Sequence, residues 1–320
     1  MVSRWRWSSL LLFSLSVQAA EPPPWHTTLS SWTRHLGAWL DARLSGQPNP
    51  NPNPTRLSLG LLARHSALYG PQLQPQVDLQ LVLPQTQKRL ALIITRELSD
   101  ATDSPLGQHY GRNLSTPENE QATFLGMRQV QQASQRLWQS LDAGLVSRGL
   151  NPGLYVRWYQ QDHYPSSSTW QRTDKREIRW ESLNGWLLQA SVAFDRALDH
   201  QHLWRLSGQL GTRPENHLLA LNLGTTLFIQ QSNQRTLTLQ LLNDWRNQPG
   251  GLYRSRLRLL WSRTVGHRWS LLTIIPEVRI EQRSGYRLDP VLSLRWMVHF
   301  NDPSVAAVPA QTRESDPLRQ

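Results

Sequence analysis

At 320 residues the chain fits one large domain or two small ones, and its formal net charge of +11 rests on arginine, Lys88 and Lys175 being the only lysines. The absence of cysteine excludes disulfides, thiolate metal sites, cysteine nucleophiles and a lipid-modified N-terminal cysteine. The arginines are spread along alternating segments and form no zinc-finger, helix-turn-helix or aromatic RNA-binding motif, which leaves nucleic acid out as a partner.

Residues 1–19 have the form of a secretory signal. Arg4 and Arg6 precede a short apolar run from Leu10 to Val17, and the small residues Val17 and Ala19 suit cleavage after Ala19. That run falls well short of the ~20 residues a spanning helix needs. Residues 20–54 are expected to form a periplasmic amphipathic helix and a linker. Between Ser30 and Ser45, Trp32, Leu36, Trp39, Leu40 and Leu44 recur at three- and four-residue intervals, which places them on one helical face. Such a helix could lie on the membrane surface, plug a lumen or pack on a barrel rim. Proline at every second position from Pro48 to Pro54 predicts an extended spacer.

From residue 55 to residue 300 the period changes to two. Leu57, Leu59, Leu61 and Ala63 alternate with Arg56, Ser58, Gly60 and Arg64. Val77, Leu79, Leu81 and Leu83 follow, then Leu90, Leu92 and Ile94, and then a long polar loop over residues 99–121. The segments over residues 122–132 and 169–180 alternate weakly, but both are expected to be strands. Beyond Trp186 the apolar face is continuous through Phe194, then from Trp204 to Leu210, Leu219 to Ile229, Leu237 to Trp245, Leu257 to Trp261 and Ile274 to Ile280. In the last segment Pro290, Leu292, Leu294, Trp296, Val298 and Phe300 share one face, and Asp289, Ser293, Arg295 and His299 lie on the other.

An apolar face opposite a polar one in segment after segment predicts an all-β chain. The expected fold is a transmembrane antiparallel up-and-down β-barrel of about 14 strands, with lipid outside and a polar lumen inside. Such a barrel belongs in the outer membrane. With the first strand running outward, Trp158, Trp204, Trp261, Trp269, Trp296 and Phe300 fall toward the periplasmic side, and Trp186 and Trp245 toward the extracellular side. Two aromatic girdles emerge from that one choice. Residues 301–320 are expected to be a disordered periplasmic tail.

The inward faces are where chemistry could occur. They carry Arg56, Arg64, Arg205, Arg254, Arg256, Arg258, Arg279 and Arg295, with Glu277 and Glu281 among the carboxylates. Arginine lining a water-filled pore would favour anions and suggest small anionic solutes as cargo. Cross-strand pairing, for example Arg256 opposite Glu277 about a turn near Gly266, would close the lumen instead. Both possibilities stand at this stage. Neither a Gly-x-Ser-x-Gly nor a His-Glu-x-x-His motif occurs, and no metal, cofactor or catalytic residue is expected. Outer-membrane lipid and lipopolysaccharide are the expected surroundings, with loop arginines such as Arg112, Arg213 and Arg283 suited to phosphate contacts.

Four short motifs carry a resemblance: LDAG at Leu141–Gly144, PEV at Pro276–Val278, DPVLSLRW at Asp289–Trp296 and LPQTQKRL at Leu83–Leu90. On these, the chain from Leu137 to Phe300 resembles a family of proteobacterial outer-membrane β-barrel proteins that has no assigned activity. The end of the last strand also resembles the recognition signal of barrel proteins generally. That resemblance implies insertion by the barrel-assembly machinery, although twenty residues follow the usual closing aromatic.

Overall fold

The computed structural model describes residues 22–45, 55–83, 90–95, 122–134, 136–148, 151–164, 170–232, 234–248, 250–267 and 269–300. The expected signal (1–19), the proline spacer, the long polar loop over 99–121 and the tail (301–320) lie outside these residues. One helix, α1 (Pro24–Ser45), precedes fourteen strands. These are β1 (Arg56–Ser66), β2 (Gly70–Leu83), β3 (Leu90–Thr95), β4 (Thr123–Ala133), β5 (Leu137–Arg148), β6 (Asn151–Tyr164) and β7 (Trp170–Glu181). They continue with β8 (Gly185–Ala197), β9 (His202–Arg213), β10 (Leu218–Ser232), β11 (Arg235–Arg246), β12 (Gly251–Thr264), β13 (Ser270–Glu281) and β14 (Leu288–Phe300).

Each strand pairs antiparallel with its sequence neighbours, and β1 pairs with β14, so the sheet is a closed barrel. Closure gives every described strand a hydrogen-bonded neighbour on both sides, which is what a strand in lipid requires, because hydrocarbon offers no partner to a free N–H or C=O. The even strand number sets both ends of the barrel at one rim, the periplasmic one. Leu57↔Phe300 and Leu61↔Trp296 mark the closing seam.

The alternation sorts the side chains as expected. Leu73, Val77, Leu125, Leu145, Leu154, Leu188, Leu210, Leu223, Leu241, Leu257, Leu292 and Leu294 are exposed on the outer wall. The residues that alternate with the outward ones point inward, and these include the buried Arg128, Asp142, Arg157, Asp244, Arg254 and Asp289. An apolar belt outside and buried charge inside is the inverse of a soluble protein, and it places this barrel in the outer membrane.

Both weakly alternating segments are strands, β4 and β7. The outer face of the β6–β7 hairpin explains the weakness. Past Trp158 and Ile178 it turns polar, with Gln160 and Asp162 on β6 and Arg172, Asp174 and Arg176 on β7. Arg172 binds Asp174 at 2.7 and 2.6 Å, and Gln160 Nε2 donates to Asp162 at 2.7 Å. This hairpin leaves the lipid before it turns, so both of its faces there are hydrophilic.

Helix α1 begins six residues earlier than the apolar stripe predicts. Pro24 opens it, and its fixed φ suits a first helical turn. It packs neither in the lumen nor away from the barrel. Leu29, Leu36 and Leu40 sit against Leu57, Leu79, Leu81, Val298 and Phe300, all on the outer wall at the periplasmic rim. Phe300 faces outward, and its ring is covered by α1 and is only 1% exposed.

Candidate functional site: the charged interior

The inward charges are arranged in rows that cross the strands. In the first row Arg128, Asp142, Arg157 and Arg179 stand directly opposite one another on β4 to β7. Asp142 receives Arg128 through Nε and Nη2, both at 2.8 Å, and Arg157 Nη1 at 3.2 Å. Arg157 Nη2 continues to Glu177 at 3.0 Å, and Arg179 Nε lies 3.0 Å from Glu181. Arg148 closes the row on Glu181 at 2.7 Å. Planar guanidinium groups suit this because one fork can meet a carboxylate through two parallel bonds.

A second network covers β10 to β14 and reaches β1. Asn222 hydrogen-bonds Asp244, and Arg254 Nε reaches the same carboxylate at 2.8 Å. Arg256 lies 3.5 Å from it. Arg254 and Arg279 both stand 3.8 Å from Glu281, and Arg283 donates to Glu281 from the extracellular turn. Arg279 Nε donates to Asp289 at 2.7 Å, and Ser66 Oγ donates to both Asp289 oxygens at 2.9 and 2.8 Å. Between the two networks, Arg205 and Asp195 form a separate bidentate pair at 2.6 and 2.7 Å.

The geometry corrects one register. Arg258, not Arg256, stands opposite Glu277, and Arg256 faces Arg279. The β12–β13 turn is centred one residue beyond the position near Gly266 that the sequence suggested, and moving an antiparallel turn by one residue shifts every pair by two. Arg258 donates to Gln240 Oε1 at 2.7 Å. Glu277 is buried and directly opposite Val291 on its other side.

Among the remaining candidates, Arg64 donates to Ser293 at 3.3 Å, and Arg56 and Arg295 are inward and half-buried. Arg128, Glu177, Arg179 and Arg148 were not singled out in the sequence. On β7 a clear signal was lacking because charges occupy both faces of its periplasmic half. For Arg128, the alternation of Phe124, Gly126 and Arg128 against Leu125 and Met127 was available.

Burial decides how wide the interior is. Arg128, Arg157, Arg254, Arg256, Arg258 and Arg279 are each 6% exposed or less. Arginine lining a broad water channel would stay hydrated, so the interior is closely filled at their levels. The inner faces of β8, β9 and β10 differ. Gln189, Ser191, Ser207, Gln209, Asn222 and Gly224 are small or uncharged, and they are only partly buried.

At the periplasmic end Ser58 and His299 hydrogen-bond through Oγ and Nδ1 at 2.9 Å. The carboxylate in that row, Asp78, stands on the far side of Ser58 from His299. The order is thus acid, serine, histidine, whereas nucleophilic catalysis needs the histidine between the other two. Among the described residues, no group of three His, Asp or Glu side chains could hold a metal ion.

No protein-family model matches the chain, and no curated protein sequence does either. Three solved structures that the chain resembles are distant. A loop-deletion form of OmpT, an outer membrane protein of Vibrio cholerae, is 9% identical, with 77% of this chain and 98% of that one covered and a TM-score of 0.46. OccK11 (OpdR) of Pseudomonas aeruginosa is 7% identical over 77% of this chain and 95% of its own, with a TM-score of 0.42. The outer membrane channel DcaP of Acinetobacter baumannii is 8% identical over 78% and 97%, with a TM-score of 0.43. At such identities and scores, function has to be argued from the interior of this barrel itself.

Proposed function

We propose that this barrel is a narrow outer-membrane channel for small polar solutes, with a bias toward anions. Membership of the proteobacterial barrel family that the motifs resemble is part of this proposal. The observation that carries it is the contrast inside the wall. Two rows of paired, buried charge narrow the bore from opposite sides, while the inward Gln189, Ser191, Ser207 and Gln209 of β8 and β9 stay partly accessible. The paired rows act as struts: their arginines share the carboxylates between them and are held against the wall. Arg56, Arg64 and Arg295, inward and half-buried, add positive charge to the bore and supply the bias, because positive charge lining a pore draws anions and repels cations.

Planar-bilayer recording tests this. Folded protein should give small, well-resolved steps whose reversal potential in a salt gradient favours anions. Arg295→Gln with Arg64→Gln should reduce that preference without enlarging the steps. Protein that is shown to be folded by heat-modifiable gel migration, yet gives no steps, would refute the channel. A second reading has one observation in its favour, the near-complete burial of the charged rows. It is a non-conducting structural barrel, and silence in the same recording is its expected result.

A further inference from the structure

Helix α1 divides into three sectors. At about 100° per residue, positions seven apart fall nearly in line. His26, Thr33 and Gly37 face the barrel and are buried, with Leu29, Leu36 and Leu40 beside them on the outer-wall cluster. Thr27 and Arg34 lie about a quarter-turn to one side of His26 and are exposed. The third sector borders the leucines and holds Trp25, Trp32 and Trp39, which are 52%, 53% and 61% exposed. Three indoles in a row form an apolar stripe that the protein itself leaves uncovered.

The helix is fixed in place at its first turn. His267, Trp269, His26 and Phe300 form successive stacked pairs, with ring centroids 4.7, 4.1 and 5.0 Å apart. His26 Nε2 donates to the backbone oxygen of His299 at 3.0 Å. Trp25 meets Trp269 and Phe300 edge-on at 5.5 and 6.1 Å. From there α1 crosses the closing seam over β14, β1 and β2. The outward residues next along those strands are Leu61, Leu294 and Trp296, all exposed members of the lipid-facing belt.

We propose that α1 is a membrane-interface helix and that the stripe of Trp25, Trp32 and Trp39 is buried in the periplasmic leaflet of the outer membrane. The occupant is lipid because the helix lies on the outer wall beside the exposed Leu61 and Trp296, and Trp25 at the head of the stripe meets Trp269 and Phe300. Indole is also the side chain that settles at the boundary between headgroups and acyl chains. The barrel holds one face of the helix, lipid takes the second, and Thr27 and Arg34 meet water.

The chain has no cysteine, so single labels can be placed cleanly. Trp32→Cys, Trp39→Cys, Arg34→Cys and, as a belt reference, Leu292→Cys would each carry a nitroxide in phosphatidylethanolamine–phosphatidylglycerol vesicles. Collision with molecular oxygen would report lipid, and collision with a water-soluble nickel chelate would report solvent. Labels at 32 and 39 should resemble the label at 292 and be severalfold less accessible to nickel than the label at 34. Equal nickel access at 32, 39 and 34 would overturn the proposal and leave the stripe to a periplasmic protein. If a cysteine variant does not fold, the Trp32→Phe, Trp39→Phe double variant gives a second measure. Lipids brominated near the headgroup should quench less of its tryptophan emission than of the wild type's, and an unchanged loss of intensity would again overturn it.

Discussion

Removing the Asp142 carboxylate tests whether the interior is packed or hydrated. Asp142 is fully buried and receives three bonds, two from Arg128 and one from Arg157. Arg157 keeps Glu177 after the change, so the loss falls mainly on Arg128, whose guanidinium also lies over Trp138 at 5.4 Å. Truncating one partner of a buried pair costs about 3–5 kcal/mol, and the surviving Arg157–Glu177 bond places Asp142→Ala near the lower end, ~3 kcal/mol. Asp142→Asn keeps an acceptor oxygen and should cost less. Replacing both partners, Asp142→Leu with Arg128→Met, should return to within about 1–2 kcal/mol of wild type, since apolar replacement of a whole buried pair is often neutral. Urea titration of the reconstituted barrel, followed by gel migration without heating, measures all three. A cost below about 1 kcal/mol for Asp142→Ala, the value of a solvated surface pair, would show that water fills this level and would refute the packed interior.

Two further outcomes can be checked on the same preparation. In Gly144→Ala the new Cβ meets the backbone of Leu125 and Gly126 across the β4–β5 ladder, where no side chain can yield, so a loss of roughly 1–3 kcal/mol is expected in the same titration. In the β8–β9 turn, the backbone N–H of Gln201 and the side chain of His202 hold the Asp199 carboxyl below its ordinary value. A lowered folded-state value stabilises the turn above the unfolded carboxyl range, and this is lost as pH falls through the lower folded value. Amide exchange at Gln201 and His202 should therefore accelerate in that acid range, and Asp199→Asn should abolish the change.

The barrel was legible because its signal is local and repeated. Leu292, Leu294 and Trp296 against Ser293 and Arg295 need only a period of two, and the same logic held in strand after strand. Three matters were not legible, each for a physical reason. The Arg256–Arg258 register depends on the centre of a turn, and a period of two cannot fix that. On β7, Lys175, Glu177 and Arg179 alternate with Asp174 and Arg176, so neither face is apolar where the hairpin leaves the lipid. The seat of α1 depends on His26 meeting Trp269 and Phe300, residues at the far end of the chain. The stripe of Trp32, Leu36, Trp39 and Leu40 would have looked the same on a membrane, in a lumen or against a wall.

The seat of α1 also depends on closure of the ring. Half of its docking surface, Trp269, Val298 and Phe300, belongs to the last hairpin, and the other half, Leu57, Leu79 and Leu81, to the first. These halves become neighbours only when β14 meets β1. An unclosed sheet offers the helix no complete berth, so the full seat of α1 exists only in the closed ring. Once there it lies across the one junction formed between strands distant in sequence, and a seam that begins to part must first shed its helix.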